Sequence, residues 1–225
     1  MSKVRNELRK SIGDNKGFLV FILLMTVCRS AIADWYTVPT ASMQPTIQIG
    51  DRITVNKMAY DLRLPFTDIS LLQTGEPERG DILIFESDAA DERLVKRVIG
   101  LPGDVVSMTG EVLSINGQPL TYRLNSDSTE AILVDEQLGD VSHVVKFDKT
   151  AHKKVSHLTA QFGPVTVPAD HYLVLGDNRR NSADSRAYGF VPRKELRGKA
   201  HHIAFSLDYD NYYMPRTERF AASLY

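Results

Sequence analysis

The residues of this 225-residue chain best suited to chemistry are a serine bracketed by prolines, a lysine in an apolar run, and a loop dense in polar side chains. The serine is Ser42, in Pro39-Thr40-Ala41-Ser42-Met43-Gln44-Pro45-Thr46. Each proline fixes φ and removes a backbone donor, so the turn between them cannot propagate a helix and presents the Ser42 hydroxyl on a stiff loop. That hydroxyl suits a nucleophile, although this octapeptide on its own fits an ordinary surface loop with a turn serine better. The lysine is Lys96, in Leu94-Val95-Lys96-Arg97-Val98-Ile99-Gly100. Strand alternation puts Lys96 on the face opposite Val95 and Arg97, so one of Lys96 and Arg97 is expected to point inward. A buried lysine has a depressed pKa and can take a proton from a serine near neutral pH, whereas a solvated edge-strand lysine cannot. None of the six histidines is convincingly placed for that task.

The third stretch, Gly176-Asp177-Asn178-Arg179-Arg180-Asn181-Ser182-Ala183-Asp184-Ser185-Arg186, directly follows the apolar run Tyr172 to Leu175. Asp184 and Arg186 can pair to fix its shape, and Ser182 offers a hydroxyl able to orient a buried amine. Short β-type runs are expected to carry these residues: Asp51 to Lys57, Asp81 to Phe85, Leu94 to Ile99, Asp104 to Met108, Val112 to Ile115, Val165 to Val167, His171 to Leu175 and Gly198 to Phe205. Asn116-Gly117 marks a tight hairpin. Residues from about 122 to 164 look polar and irregular, hold His143, His152 and His157 at no metal-ligand spacing, and read as a variable hairpin insert.

With 43% hydrophobic residues the chain can bury one main core. Its 27 Lys and Arg balance 28 Asp and Glu, which leaves no electrostatic footprint for a nucleic-acid partner. The single cysteine, Cys28, excludes an intramolecular disulfide, and neither a metal nor a cofactor is expected. Residues 1–16 carry Lys3, Arg5, Arg9, Lys10 and Lys16, and Gly17 to Cys28 is uninterrupted apolar sequence. The positive flank predicts a cytoplasmic N-terminus and export of the chain beyond the apolar run. Residues 17–36, about 30 Å long as one helix, are expected to form a retained transmembrane signal anchor with Trp35 and Tyr36 at the interface. A removable signal peptide cut after Ala31-Ile32-Ala33 is the competing reading. Residues 37–225 then form a mainly β, antiparallel, exported domain.

Four blocks, Pro39 to Thr46, Gly80 to Phe85, Val95 to Asp104 and Gly176 to Pro192, stand in the order found in the bacterial type I signal peptidases, and the chain resembles that family of membrane-anchored Ser-Lys proteases from about Gly17 to Phe205. The resemblance implies Ser42 as nucleophile, Lys96 as general base and Thr40 as a side-chain oxyanion donor beside the Ser42 backbone N–H. It implies Ser182 steadying Lys96, with Asp184 and Arg186 holding the loop, and substrate pockets lined by Tyr36, Val38, Pro39, Met43, Ile47, Ile53, Ile84, Leu94 and Val95. The implied activity is removal of N-terminal signal peptides from exported preproteins after small residues, by a monomer at the lipid bilayer of the bacterial inner membrane. Thr40 and Ala41 stand where serine and glycine are commoner in the family. A dedicated enzyme maturing one pilin or conjugation substrate is the enzymatic alternative. A self-cleaving regulator would need a soluble DNA-binding N-terminus, which Gly17 to Cys28 is too apolar to supply.

Overall fold

The computed structural model describes residue 13, residues 15–149 and residues 161–225. His152, His157 and most of the expected cytoplasmic segment 1–16 lie outside the described residues. In chain order the elements are α1 (Lys16–Ala31), β1 (Ala33–Thr37), β2 (Asp51–Asn56), β3 (Asp61–Arg63), β4 (Ser70–Gln73), β5 (Ile82–Ser87), β6 (Glu92–Gly100), β7 (Val105–Thr109), β8 (Val112–Ile115), β9 (Gln118–Pro119), β10 (Thr121–Asp127), β11 (Ala131–Leu138), β12 (Val141–Asp148), β13 (Phe162–Thr166), β14 (His171–Leu175), α2 (Ser185–Tyr188), β15 (Val191–Pro192), β16 (Leu196–Asp208) and β17 (Met214–Pro215). The largest sheet runs β1-β2-β16-β5-β6-β14-β15, with β17 paired to β16. Smaller sheets are β13-β7-β8-β9, β10-β11-β12 and β3-β4. The strand pairs are antiparallel throughout.

Strands β5 and β6 lie in the middle of the large sheet, and both of their faces are covered. Ile82 and Ile84 enter a cluster with Met43, Ile47 and Ile53, while Leu83 and Phe85 enter another with Val98, Tyr172 and Val174. This overturns the expectation that only one of Lys96 and Arg97 turns inward: both are buried. Alternation still separates them, Lys96 sitting opposite Leu83 and Arg97 opposite Ile82. The difference is that from Lys96 to Gly100 neither face of this central strand sees water.

The apolar N-terminal stretch also departs from expectation. Helix α1 stops at Ala31, about 24 Å long against a hydrocarbon core of about 30 Å, and no helix among the described residues is long and apolar enough to cross a membrane. Trp35 and Tyr36 lie on β1, which pairs with β2 from Ala33 opposite Asn56 to Thr37 opposite Arg52. What ends the helix is a competing set of partners. The Lys57 amine donates to the Arg29 carbonyl at 2.8 Å and to the Ser30 carbonyl at 3.4 Å. Asp34 accepts from Arg29 at 2.7 Å, and the next residues gain a strand ladder instead of a helical one.

Of the segment read as an irregular insert, the described residues 122–149 are regular. Strands β10, β11 and β12 form a three-stranded meander that buries Ala131, Leu138, Val145 and Phe147. The turn at Asn116-Gly117 joins β8 and β9, with both residues at positive φ (53° and 79°) as a two-residue hairpin turn requires.

Candidate active site

Ser42 sits in the loop between β1 and β2. Two buried apolar side chains, Met43 and Ile47, pin that loop to the core. Backbone bonds from Ile47 N to Met43 O (2.9 Å) and from Val38 N to Asp51 O (3.0 Å) close it. At the base of the loop, Asp51 accepts from the Gln48 N–H at 2.8 Å and from the Arg219 guanidinium at 2.6 Å, while Arg219 also donates to the Thr46 carbonyl at 3.0 Å. The loop is therefore fixed before any substrate arrives.

Lys96 Nζ lies 2.8 Å from Ser42 Oγ. Both side chains are withdrawn from water, the lysine being 2% exposed and the serine 9%. Burial pushes the Lys96 pKa down to about 8, opposed by the negative charges of Asp184, Glu92 and Asp177. A lysine so placed is neutral often enough near neutral pH to accept the serine proton. Thr40 Oγ1 is 3.4 Å from Ser42 Oγ, and its side chain is on the exposed side of the loop.

The polar loop after β14 is held by Asp184. Its carboxylate accepts from Ser182 Oγ (2.7 Å), from the Gly176 N–H (3.0 Å) and from Arg186 Nε and Nη2 (both 2.8 Å), and it caps α2 through the Arg186 N–H at 3.2 Å. These donors keep the carboxyl below the usual range although burial alone would raise it. Ser182 thus directs its proton to Asp184. Gly176 matters because it has no side chain: a Cβ there would stand 2.3 Å from Ser182 Oγ and 2.5 Å from the Ser42 carbonyl oxygen. The same loop grips the backbone around Ser42, since Asn178 donates through its N–H to the Ser42 carbonyl at 3.0 Å and through its side chain to the Ala41 carbonyl at 3.2 Å.

Several residues of this assembly carried no signal in the sequence. Arg97 clamps Asp177 through two bonds, at 2.9 and 2.7 Å, and Asp177 also accepts from Thr46 Oγ1 at 2.5 Å. From the meander, Glu136 takes two bonds from Arg179, at 2.7 and 2.6 Å, and Lys146 exchanges backbone bonds with Asp177 and Arg179 while its amine reaches Gln44 at 3.1 Å. His143 lies 3.4 Å from Glu136 and 3.8 Å from Asp177, but burial lowers its pKa to about 4, so it stays neutral. The segment expected to be a variable insert therefore braces both the Ser42 loop and the Asp184 loop. Acid and base partners 43 residues apart give no local pattern to read.

The expected substrate-lining residues divide into two groups. Val38, Met43, Ile47, Ile53 and Ile84 are fully buried in one cluster, and Tyr36 and Val95 pack against it with part of their surface free. Pro39 is exposed, whereas Leu94 belongs to the cluster on the other face of β6. Beside Leu94 a cavity of about 380 Å³, lined by Phe85, Asp184, Tyr188 and Phe190, opens to solvent. Among the described residues no group of His, Cys, Asp and Glu could hold a metal ion.

The geometry is that of a hydroxyl and an amine poised for proton exchange, with the polar loop holding the serine backbone and placing charge near the amine. The profile of the family described as signal peptidase, peptidase S26, matches residues 15–205. Signal peptidase I of Pseudomonas fluorescens is 34% identical over 207 residues, covering 85% of this chain and 71% of that protein. Signal peptidase I P of Bacillus subtilis subsp. natto is 32% identical over 194 residues, covering 86% and 88%. A solved signal peptidase I of Enterococcus faecalis V583 aligns with 55% of this chain and 96% of that one at 30% identity and a TM-score of 0.35, an overlay too loose to argue from. On the extent of the profile match and the identity to full-length relatives, the chain belongs to the signal peptidase family, peptidase S26.

Proposed function

We propose that this protein removes N-terminal signal peptides from exported preproteins, using Ser42 as nucleophile and Lys96 as general base. The observation that carries the reading is the 2.8 Å contact between a buried, pKa-depressed amine and a serine hydroxyl on a pinned loop. Neutral Lys96 takes the Ser42 proton as Oγ attacks the scissile carbonyl, and the ammonium then returns the proton to the departing amine. Water, deprotonated by the same lysine, resolves the acyl-enzyme. Thr40 Oγ1 and the Ser42 N–H are the donors for the oxyanion. Ser182 and Asp184 act through Lys96: the negative charge of Asp184 bears on its ammonium, and Ser182 holds that carboxylate in place.

Specificity for small residues before the cut follows from how little room the cluster under Ser42 leaves. Met43, Ile47, Ile53 and Ile84 fill the space below the loop, leaving Tyr36, Pro39 and Val95 as the surfaces a substrate strand can touch. The apolar α1 directly before β1 supports a catalytic domain held at the bacterial inner membrane. The positive flank before it is the basis for placing the N-terminus in the cytoplasm and the domain, read as a monomer, on the outer face.

The test is incubation of the purified full chain with a preprotein and with Ser42→Ala and Lys96→Arg variants, followed by mass measurement of the products. One cut after an Ala-x-Ala segment, lost in both variants, is the expected result. Arginine keeps the charge but cannot be deprotonated, so turnover by Lys96→Arg would remove the dyad from the mechanism.

A further inference from the structure

The hairpin β3–β4 exposes a run of large apolar side chains. It is a two-stranded sheet on its own, every residue of β4 is exposed, and Leu64, Phe66, Ile69, Leu71 and Leu72 all face solvent, Phe66 at 66% and Leu72 at 60%. Such a hairpin has little reason to be stable or apolar in water. Its tip is joined to the end of α1, where the Phe66 N–H donates to Ser30 Oγ at 2.7 Å. Phe66 holds φ at 64°, a conformation unfavourable for a bulky residue, with its ring outside the core.

Between the hairpin tip and the last turn of α1 lies a notch of about 300 Å³. Its lining includes four cations, Lys57, Arg63, Arg93 and Arg197, against two acids, Asp68 and Glu86. Glu86 is taken by Arg93 and Lys57 turns to Asp34, so Arg63 and Arg197 share the exposed Asp68, at 3.7 and 3.4 Å. Arg63 also lies 3.6 Å from Asp61, which Arg193 holds at 3.0 Å, and its Nη1 is buried without a hydrogen bond. Burial and the neighbouring Arg197 charge both work against the Arg63 cation. The notch is thus short of negative oxygen, and it sits at the base of an apolar tip and beside an apolar helix.

We infer that the β3–β4 hairpin and this notch dock onto an anionic lipid surface, with the apolar tip in the acyl boundary and a headgroup phosphate between Arg63 and Arg197. An apolar tip with a basic collar matches a bilayer, whose apolar interior lies beneath a phosphate layer, and it continues the apolar surface of α1. A protein partner would offer the tip no reason for the collar. Tyr36, which lines the notch under the Arg93 guanidinium at 4.4 Å, also lies on β1 among the proposed substrate contacts, so docking would set the substrate strand at a fixed height above the lipid. The inference rests on the membrane placement proposed above, and the two can fail separately.

The experiment uses the full chain with phosphatidylcholine vesicles, with or without phosphatidylglycerol, and reads both cosedimentation and amide hydrogen exchange of residues 64–72. The expected result is tighter binding to the phosphatidylglycerol vesicles, with slowed exchange across the hairpin. A double variant, Arg63→Gln with Arg197→Gln, should lose about thirtyfold of that preference. Phe66→Ser with Leu72→Ser should lose the hairpin protection while both variants still cleave a short soluble peptide, which reports that they fold. Protein that stays in the supernatant with every vesicle refutes the membrane placement itself. Protein that binds through α1 with no lipid preference and unprotected hairpin amides overturns this inference alone. Protection produced by inorganic phosphate without vesicles would make the notch a free-anion site, and protection requiring added preprotein would assign the hairpin to the substrate. Either result overturns the lipid reading.

Discussion

The pH dependence of cleavage distinguishes Lys96, beside Ser42, from the buried His143, because burial sets their pKa values far apart. Lys96 is held near 8 by burial, down from an ordinary value of 10.5, a shift on the order of 3 kcal/mol against the charged form. His143, also buried, is held near 4. If Lys96 must be neutral to act, kcat/KM for a soluble quenched peptide should rise about tenfold per pH unit on the acid side and level off above about pH 8. At about pH 6 only about one lysine in a hundred is neutral, so the whole rise to about pH 9 is on the order of a hundredfold. A peptide that closes the cleft would desolvate the amine further, so the midpoint in kcat should lie at or below that in kcat/KM. A histidine base would instead give a profile flat above about pH 5. A midpoint near the ordinary lysine value would mean that the burial of Lys96 has no electrostatic consequence. Either outcome refutes the assignment.

The same burial makes a stability prediction: the folded-state pKa lies below the unfolded one, so Lys96 costs stability at pH values below about 8 and that cost fades as pH rises from about 8 towards 10.5. Lys96→Met should therefore be inactive yet raise stability at neutral pH by up to about 3 kcal/mol, and a lower melting temperature would count against the argument. Thr40→Val, nearly isosteric but without the hydroxyl, should lose on the order of a hundredfold in kcat with little change in KM, whereas Thr40→Ser keeps most activity; a fully active valine variant removes Thr40 from the oxyanion site. Gly176→Ala should reduce kcat by at least about tenfold, because the new methyl displaces Ser182 or the Ser42 carbonyl; unchanged kinetics would show that the loop does not set the nucleophile. Glu136→Gln leaves Arg179 as an uncompensated buried charge and should cost about 3–5 kcal/mol in chemical denaturation, with kcat falling in parallel if the meander braces the site.

The residues proposed for the chemistry were legible in the sequence, and the geometry that brings them together was not. Ser42 between prolines, Lys96 among β-branched neighbours and the Asp184–Arg186 pair are local patterns, because turns, strands and close ion pairs are governed by residues near one another in the chain. The hairpin at Asn116-Gly117 is of the same kind, a two-residue demand on φ that those residues meet. What lay beyond reach were facts created by strand order. Strand β6 is central only because β5 and β14 flank it, and that position is what buries both Lys96 and Arg97 and lowers the lysine's pKa. The end of α1 was likewise misplaced. Residues 33–37 are as compatible with an interfacial helix end as with a strand until β2 offers its edge and Lys57 takes the last helical carbonyls. The meander read as a variable insert because its role depends on Glu136 and Lys146 meeting Arg179 and Gln44 across 43 and 102 residues. Contacts of that range are set by how sheets stack, and a one-dimensional pattern contains no trace of them.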